Sequence, residues 1–286
     1  MLPASSNECL RRARPLLGTF VEIAVSGAPD ADIQAAVTAA FDAIAQVHAL
    51  MSFQEAGSDV GRLNREAGAR PVRVHAWTCR VLEAALDLHR RSSGAFDVAV
   101  AGRGATSAAI ELLPDDHVRF ADPGVKIDLS GIAKGFAVDC AIDVLRAHDM
   151  PRALVNAGGD LAAFGPQAET IHVRDPRNPS RLLLLISVMN EALASSGHGF
   201  DSFRSAAPAP TAVIDPATGR PVEAVRAATV RAPSCMIADA LTKVVMIAGT
   251  GASAVLEHYR AGALVVLADG SVQMTENLQG AVCLAA

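Results

Sequence analysis

Three short segments of this 286-residue chain gather charged, hydroxyl and glycine residues in patterns that could hold a polyanion. The densest is residues 126–139, KIDLSGIAKGFAVD. Asp128 ends a short apolar run, Ser130 and Gly131 make a tight turn, and a helix begins near Ile132. A helix N-terminus carries partial positive charge, so Lys134 in the first turn is unfavourable unless an anion lies beside it. The pattern reads as a phosphate site, or as a capped helix with a solvated lysine. The second segment is Asn156-Ala157-Gly158-Gly159-Asp160. Its glycines permit positive φ and close backbone approach to a ligand, but equally a plain turn between strands. The third is Asp239-Ala240-Leu241-Thr242-Lys243, in which Asp239, Thr242 and Lys243 share one helical face. A carboxylate with a hydroxyl suits Mg²⁺. Asp and Lys four residues apart also make an ordinary helix salt bridge. Met236, Ile237, Val244 and Val245 make this helix very apolar, so a charged pair on it needs a partner or a task. His198, in a polar loop after Ser195, Ser196 and Gly197, could serve as a base or simply be exposed.

Other chemistries are excluded by what is missing. Gly102-Arg103-Gly104 lacks the third glycine of a dinucleotide fingerprint, and Gly135 follows Lys134 where a P-loop needs Ser or Thr. No G-x-S-x-G elbow and no H-E-x-x-H occur. Five scattered cysteines without a C-x-x-C pair argue against a Cys-based zinc site or a disulfide framework. A net charge of −5 and only 4 % aromatics leave neither a basic stripe nor a stacking platform, so no nucleic-acid partner is expected. No transmembrane segment and no signal peptide are expected either, and the chain as written reads as cytoplasmic.

Hydrophobic residues make up 51 %, enough for a sizeable core to position these segments. Alternation over 17–25 predicts a strand, and Pro29-Asp30 opens a helix whose Ile33, Val37, Phe41 and Ile44 form an apolar stripe. Residues 51–68 read as polar and turn-rich, 78–93 as a helix, and 114–123 as a loop. A short strand is expected at 126–129, a helix at 132–148, and strands at 153–157 and 161–164. Further strands are expected at 170–174, 182–188 and 225–230, and an irregular loop at 197–210. A helix at 236–247, a short one at 252–259 and strands at 263–267 and 272–275 complete the pattern. Strands and helices without a strict βαβ rhythm favour an α+β fold.

Taken in order, these segments resemble the ApbE family of FAD:protein FMN transferases. The likeness starts at Leu17-Gly18-Thr19 and passes through Ser58-Asp59, Leu63-Asn64 and Ser93-Gly94-Ala95-Phe96-Asp97. It continues through DLSGIAKG at 128–135, NAGGD at 156–160 and Ser196-Gly197. Ile214-Asp215-Pro216 with Thr218-Gly219, then Ala238-Asp239-Ala240-Leu241, complete it. The resemblance implies a single compact, T-fold-related domain of mixed sheets and packed helices over 15–286, after a flexible segment at 1–14. It implies Mg²⁺-dependent transfer of the FMN half of FAD to a threonine of an acceptor flavoprotein bearing a Gly-Ala-Thr-like motif, with AMP released. Leu17, Ser52, Phe53 and the Ala95-Phe96-Asp97 turn match positions that hold FAD, as do Asp128, Lys134 and Ile214. Gly158, Gly159 and Asp160 complete the expected binding set. The implied metal lies between the Gly131 carbonyl and Asp239, with Thr242 or Lys243 beside it. Asp239 and Lys134 are the expected catalytic groups, with His198 or Asp160 as a substitute base.

Three departures stand out. Many relatives carry Thr where this chain has Lys243, so the ammonium could stand in for part of the metal charge. A histidine common in the family is Ala212 here, and Phe53 lacks the hydroxyl of a tyrosine often found near Ser52. The chain's own Arg103-Gly104-Ala105-Thr106 lacks the first residue of the acceptor motif, so self-modification is not expected. Hydrolysis of FAD to FMN and AMP, or non-catalytic FAD binding, are the alternatives. Relatives are often periplasmic or membrane-attached.

Overall fold

The computed structural model describes residues 9–102, 104–197 and 213–283. The chain begins with a hairpin of β1 (Cys9–Leu16) and β2 (Thr19–Ser26). Next come α1 (Asp30–Met51), α2 (Asp59–Glu66), β3 (Val72–Arg73) and α3 (Ala76–Arg91). A second hairpin, β4 (Ile110–Leu113) and β5 (His117–Phe120), precedes α4 (Ala133–Ala147). The strands β6 (Arg152–Ala157), β7 (Asp160–Phe164), β8 (Glu169–Asp175), β9 (Asn178–Val188) and β10 (Glu191–Gly197) follow. After the short pair β11 (Ile214–Asp215) and β12 (Arg220–Pro221) come β13 (Val225–Ala232), α5 (Cys235–Ala248) and α6 (Ser253–His258). The chain continues through β14 (Gly262–Leu267), β15 (Val272–Met274), α7 (Glu276–Gln279) and β16 (Val282–Cys283).

The main sheet has the order β1-β2-β6-β7-β10-β13-β14-β15, with every neighbouring pair antiparallel. Its architecture follows from alternation along its central strands. On β7, Ala162 and Phe164 enter one apolar core while Leu161 and Ala163 enter another. On β10, Ala192 and Ala194 join the first and Leu193 the second; on β14, Ala263 and Val265 divide from Leu264 in the same way. A strand's side chains alternate faces, so the sheet is covered on both sides. The first core lies under α1, α4 and α5, and the second under the small β16-β9-β8 sheet. The result is an α+β arrangement of helices, main sheet and small sheet.

α1 is long and apolar enough to cross a bilayer by length and composition alone. Its Ile33, Val37, Phe41 and Ile44 are nevertheless buried, and it packs on α4, as expected of a core helix.

Several local expectations need correction. The segment expected to be flexible over 1–14 is strand from Cys9 onward, because a turn at Leu17-Gly18 hands it β2 as a partner. Arg14 lies over the Phe41 ring, 4.5 Å from its centre. The polar stretch 51–68 contains α2, whose N-cap Ser58 accepts from the Gly61 N–H at 2.9 Å. Buried Asp59 accepts from the His75 N–H at 2.8 Å and the Thr78 hydroxyl at 2.7 Å, which fixes α2 to α3. The loop expected at 114–123 contains β5, entered through Asp115 and Asp116 at φ of 58° and 57°. The strand expected at 126–129 does not form. The Asn64 amide takes the place of a neighbouring strand, donating to the Ile127 carbonyl at 2.9 Å and accepting its N–H at 2.8 Å.

Candidate active site

α4 and α5 cross so closely that residue 135 must be glycine. A Cβ there would lie 2.2 Å from the Cys235 carbonyl oxygen. Each helix then caps the other. The Asp139 carboxylate of α4 accepts from the Cys235 and Met236 N–H groups at the start of α5, at 2.8 and 2.9 Å. The Asp239 carboxylate of α5 accepts from the Gly135 N–H in the first turn of α4, at 3.0 Å. Helix N-termini leave such N–H groups free, and carboxylates complement them. Burial nonetheless outweighs the two N–H bonds to Asp139 and pushes its carboxyl up to about 6.

Beside this crossing opens a cleft of ≈ 610 Å³, within the usual size of ligand sites. It is lined by Leu17 and Gly18 of the β1–β2 turn and by Ala95, Phe96, Asp97, Val98, Val100 and Ala101. Ser195, Ser196 and Gly197 at the end of β10, Ile214, and Ile247 of α5 line it too. Asp128, Ser130, Gly131 and Gly158 also line it.

Two lysines line the cleft, each paired with a buried carboxylate. Lys134 pairs with Asp160, which is 1 % exposed, and Lys243 pairs with Asp239, which is 0 % exposed. The Lys243 ammonium also donates to the Asp239 main-chain carbonyl at 2.9 Å. Both lysines therefore line the ligand space while their ammonium groups are held on buried carboxylates. Although burial pulls the Lys134 pKa down, the carboxylates of Asp160 and Asp239 outweigh it and hold it above the ordinary lysine value. Burial, with the nearby Asp239 charge, pushes the Asp160 carboxyl up to about 6 against the pull of both lysines. A lysine at a helix N-terminus thus has its anion supplied by the protein itself.

Several expected site residues meet at this cleft: Leu17, Ala95, Phe96, Asp128, Gly131, Lys134, Gly158, Ile214 and Lys243. Gly158, at φ 64°, closes against Thr19, whose Oγ1 would lie 2.5 Å from any Cβ there. Asp97 reaches the cleft edge, but its carboxylate is turned inward. It accepts from the Ala99 N–H at 2.7 Å and the Ser107 hydroxyl at 2.6 Å, and lies 3.3 Å from the His89 ring. Its role is to shape the 95–101 loop. Ser52 and Phe53 are not among the lining residues. Ser52 ends α1 and its carbonyl accepts from the Ser58 hydroxyl at 2.7 Å, while Phe53 is exposed. Gly159 and Asp160 also do not line the cleft; Gly159 holds the β6–β7 turn, donating to the Asn156 side chain at 2.9 Å. His198 lies outside the described residues.

The expected metal set does not fit a divalent ion. Both Asp239 carboxylate oxygens are engaged, one by the Lys243 ammonium and the other by the Gly135 N–H. The Thr242 hydroxyl donates to the Asp239 carbonyl at 2.7 Å and must therefore accept from Ser196, 2.7 Å away. The physical reason is burial. Asp239 has no exposed surface, and Lys243 stands between it and the cleft. Among the described residues, no group of three or more His, Cys, Asp and Glu could hold a metal.

Sequence patterns give no warning of Asp139, whose capping bonds reach across 96 and 97 residues. The apolar wall of Val98, Val100 and Ala101 is equally silent; Val100 is 43 % exposed, a clue visible only in the fold.

The chain is similar to known proteins over nearly its whole length. A FAD:protein FMN transferase of Treponema pallidum is 27 % identical, with 93 % of this chain and 87 % of that protein covered. One from Vibrio cholerae is 28 % identical over 82 % of this chain and 80 % of its own length. The crystal structure of an ApbE protein from Thermotoga maritima superposes with a TM-score of 0.85 at 25 % identity, covering 96 % of this chain and 99 % of that one. The flavin transferase ApbE of Vibrio cholerae shares the fold, with a TM-score of 0.80 at 23 % identity over 96 % and 99 % of the two chains. The sequence pattern of the ApbE family matches residues 17–105 and 102–266, and this chain belongs to that family.

Proposed function

We propose that this chain transfers the FMN half of FAD to a hydroxyl of an acceptor protein and releases AMP. The observation that carries the reading is that two lysines line the cleft, Lys134 paired with buried Asp160 and Lys243 with buried Asp239. Two lysines lining one cleft are suited to a pyrophosphate. The apolar wall of Leu17, Phe96, Val98 and Val100 is suited to a flavin ring. The names carried by the relatives supply the reaction class.

In the transfer, the acceptor hydroxyl oxygen attacks the FMN phosphorus, forms a new P–O bond and gives up its proton to solvent water. The bond from that phosphorus to the oxygen of AMP breaks, and AMP leaves with the electron pair. Catalysis of this kind rests on positioning and charge neutralisation. Lys134 and Lys243 hold the pyrophosphate oxygens and offset charge that grows on AMP. Gly158, with no side chain, lets the β6–β7 turn approach the ligand. Ser196, which donates to Thr242, keeps its lone pairs free to position a hydroxyl at the cleft. A threonine in a Gly-Ala-Thr-like motif is the proposed acceptor. Magnesium, implied by the family resemblance, would neutralise pyrophosphate charge in the same way, but no step is assigned to it because Lys243 occupies its expected donor.

The reading is tested by mass spectrometry of an acceptor flavoprotein incubated with this chain and FAD. Covalent FMN on one threonine supports it. AMP release without attachment would point to hydrolysis, and neither product would reject both.

A further inference from the structure

We propose that the Lys243 ammonium replaces the divalent cation at this site, so that the chain binds and uses FAD without a metal on Asp239. The inference rests on the reading of the cleft as an FAD site and adds to it what neutralises the pyrophosphate.

Position is the first argument. The Lys243 stem crosses directly over Gly131, whose notional Cβ would lie 3.6 Å from Lys243 Cε, and its ammonium ends on an Asp239 carboxylate oxygen. The fixed charge thus stands between the Gly131 loop and Asp239, the place a bridging cation would need. Access is the second. Asp239 has no exposed surface and does not line the cleft, whereas Lys243 is 18 % exposed and does. Any ion reaching Asp239 from the ligand side must first displace the lysine. Prior engagement is the third. The other Asp239 oxygen caps α4, and the Thr242 hydroxyl already donates to the Asp239 carbonyl and accepts from Ser196.

Charge balance is the fourth. Lys134 and Lys243 balance Asp160 and Asp239 before any ligand enters. A divalent ion at Asp239 would sit against an ammonium at contact distance, and like charges that close repel strongly in a partly buried site. Lysine and metal are therefore mutually exclusive here. A lysine also differs from an ion in being covalently tied, so its charge is present in every molecule at any metal concentration.

The test measures FAD affinity of the wild-type protein by flavin fluorescence in EDTA and in millimolar Mg²⁺, with Mn²⁺ uptake of the FAD-saturated protein followed by electron paramagnetic resonance. The expected result is a dissociation constant that changes by less than about threefold between the two conditions. No Mn²⁺ should be bound beyond that held by free FAD. The Lys243→Ala variant should show the converse, taking up about one Mn²⁺ per chain and binding FAD at least about tenfold more tightly with Mg²⁺ than in EDTA. A wild-type protein that binds one Mn²⁺, or whose FAD affinity rises tenfold with Mg²⁺, would overturn the inference while leaving the FAD site standing. A folded Lys243→Ala variant that gains no Mn²⁺ would also overturn it. Should that variant fail to fold, the wild-type comparison decides alone. Absence of FAD binding in every condition would overturn the underlying reading instead.

Discussion

Lys134 and Asp160 show how one ion pair can serve both stability and ligand binding. Asp160 is buried, so removing its lysine leaves a charge without a partner, which typically costs about 3–5 kcal/mol. Lys134→Met should lower stability by that order in urea denaturation and weaken FAD binding by at least about tenfold. The double variant Lys134→Met/Asp160→Asn separates the two roles. It should regain most of the stability while FAD binding stays weak; full recovery of binding would show that Lys134 is only structural. Leu17 is a second such residue. It holds φ 56° in the β1–β2 turn, a left-handed conformation that disfavours a branched side chain, and it lines the cleft. Leu17→Gly relieves that strain but removes a side chain packed on the core, and it should weaken FAD binding, read from fluorescence titration. The importance of Lys134 is legible in the sequence because a lysine in a first helical turn is locally unfavourable. Its partner is not legible, since Asp160 comes from a distant turn. The Asp239–Lys243 spacing fits both a metal site and a salt bridge, and burial decides between them.

At the scale of elements, α4 and α5 stand or fall together. Gly135→Ala would drive a methyl group into the Cys235 carbonyl and should cost at least about 2 kcal/mol, measured by urea denaturation. The cap at Asp139 adds a pH dependence. Its folded pKa of about 6 lies above the 3.8 of an ordinary aspartate, so the folded state holds the proton more tightly. Its contribution is therefore most favourable below pH 4, declines as pH rises from about 4 to 6, and is level above that. Across that window the stability of Asp139→Asn relative to wild type should improve by up to ~3 kcal/mol. A difference between the two proteins that stays constant from pH 4 to 7 would contradict the assignment. Apolar periodicity reveals the existence of α1, α3, α4 and α5, because long amphipathic or apolar runs leave a pattern in one dimension. It misses α2, whose polar sequence is held by the Ser58 cap and buried Asp59. It also mistakes 126–129 for a strand, since the Asn64 amide supplies the bonds a neighbouring strand would give.

Across the whole molecule, the eight-stranded sheet and its two coverings fix where the cleft can be. The β1–β2 turn, the β6–β7 turn and the end of β10 come together at the same end of adjoining strands, and the α4–α5 crossing closes the space beside them. The sequence supports an α+β class but does not reveal the strand order, because β2 pairs with β6, β7 with β10 and β13 with β14 across long intervening segments. The central claim is that this cleft moves FMN from FAD to a protein hydroxyl. Its most direct measurement is the joint yield of AMP and covalently bound FMN when the purified chain, FAD and a folded flavoprotein acceptor with a Gly-Ala-Thr-like motif are combined. The predicted result is AMP and FMN-modified threonine formed one for one, both lost in Lys134→Met/Asp160→Asn. Neither product forming, with or without divalent cations, or AMP appearing without attached FMN, would contradict the account.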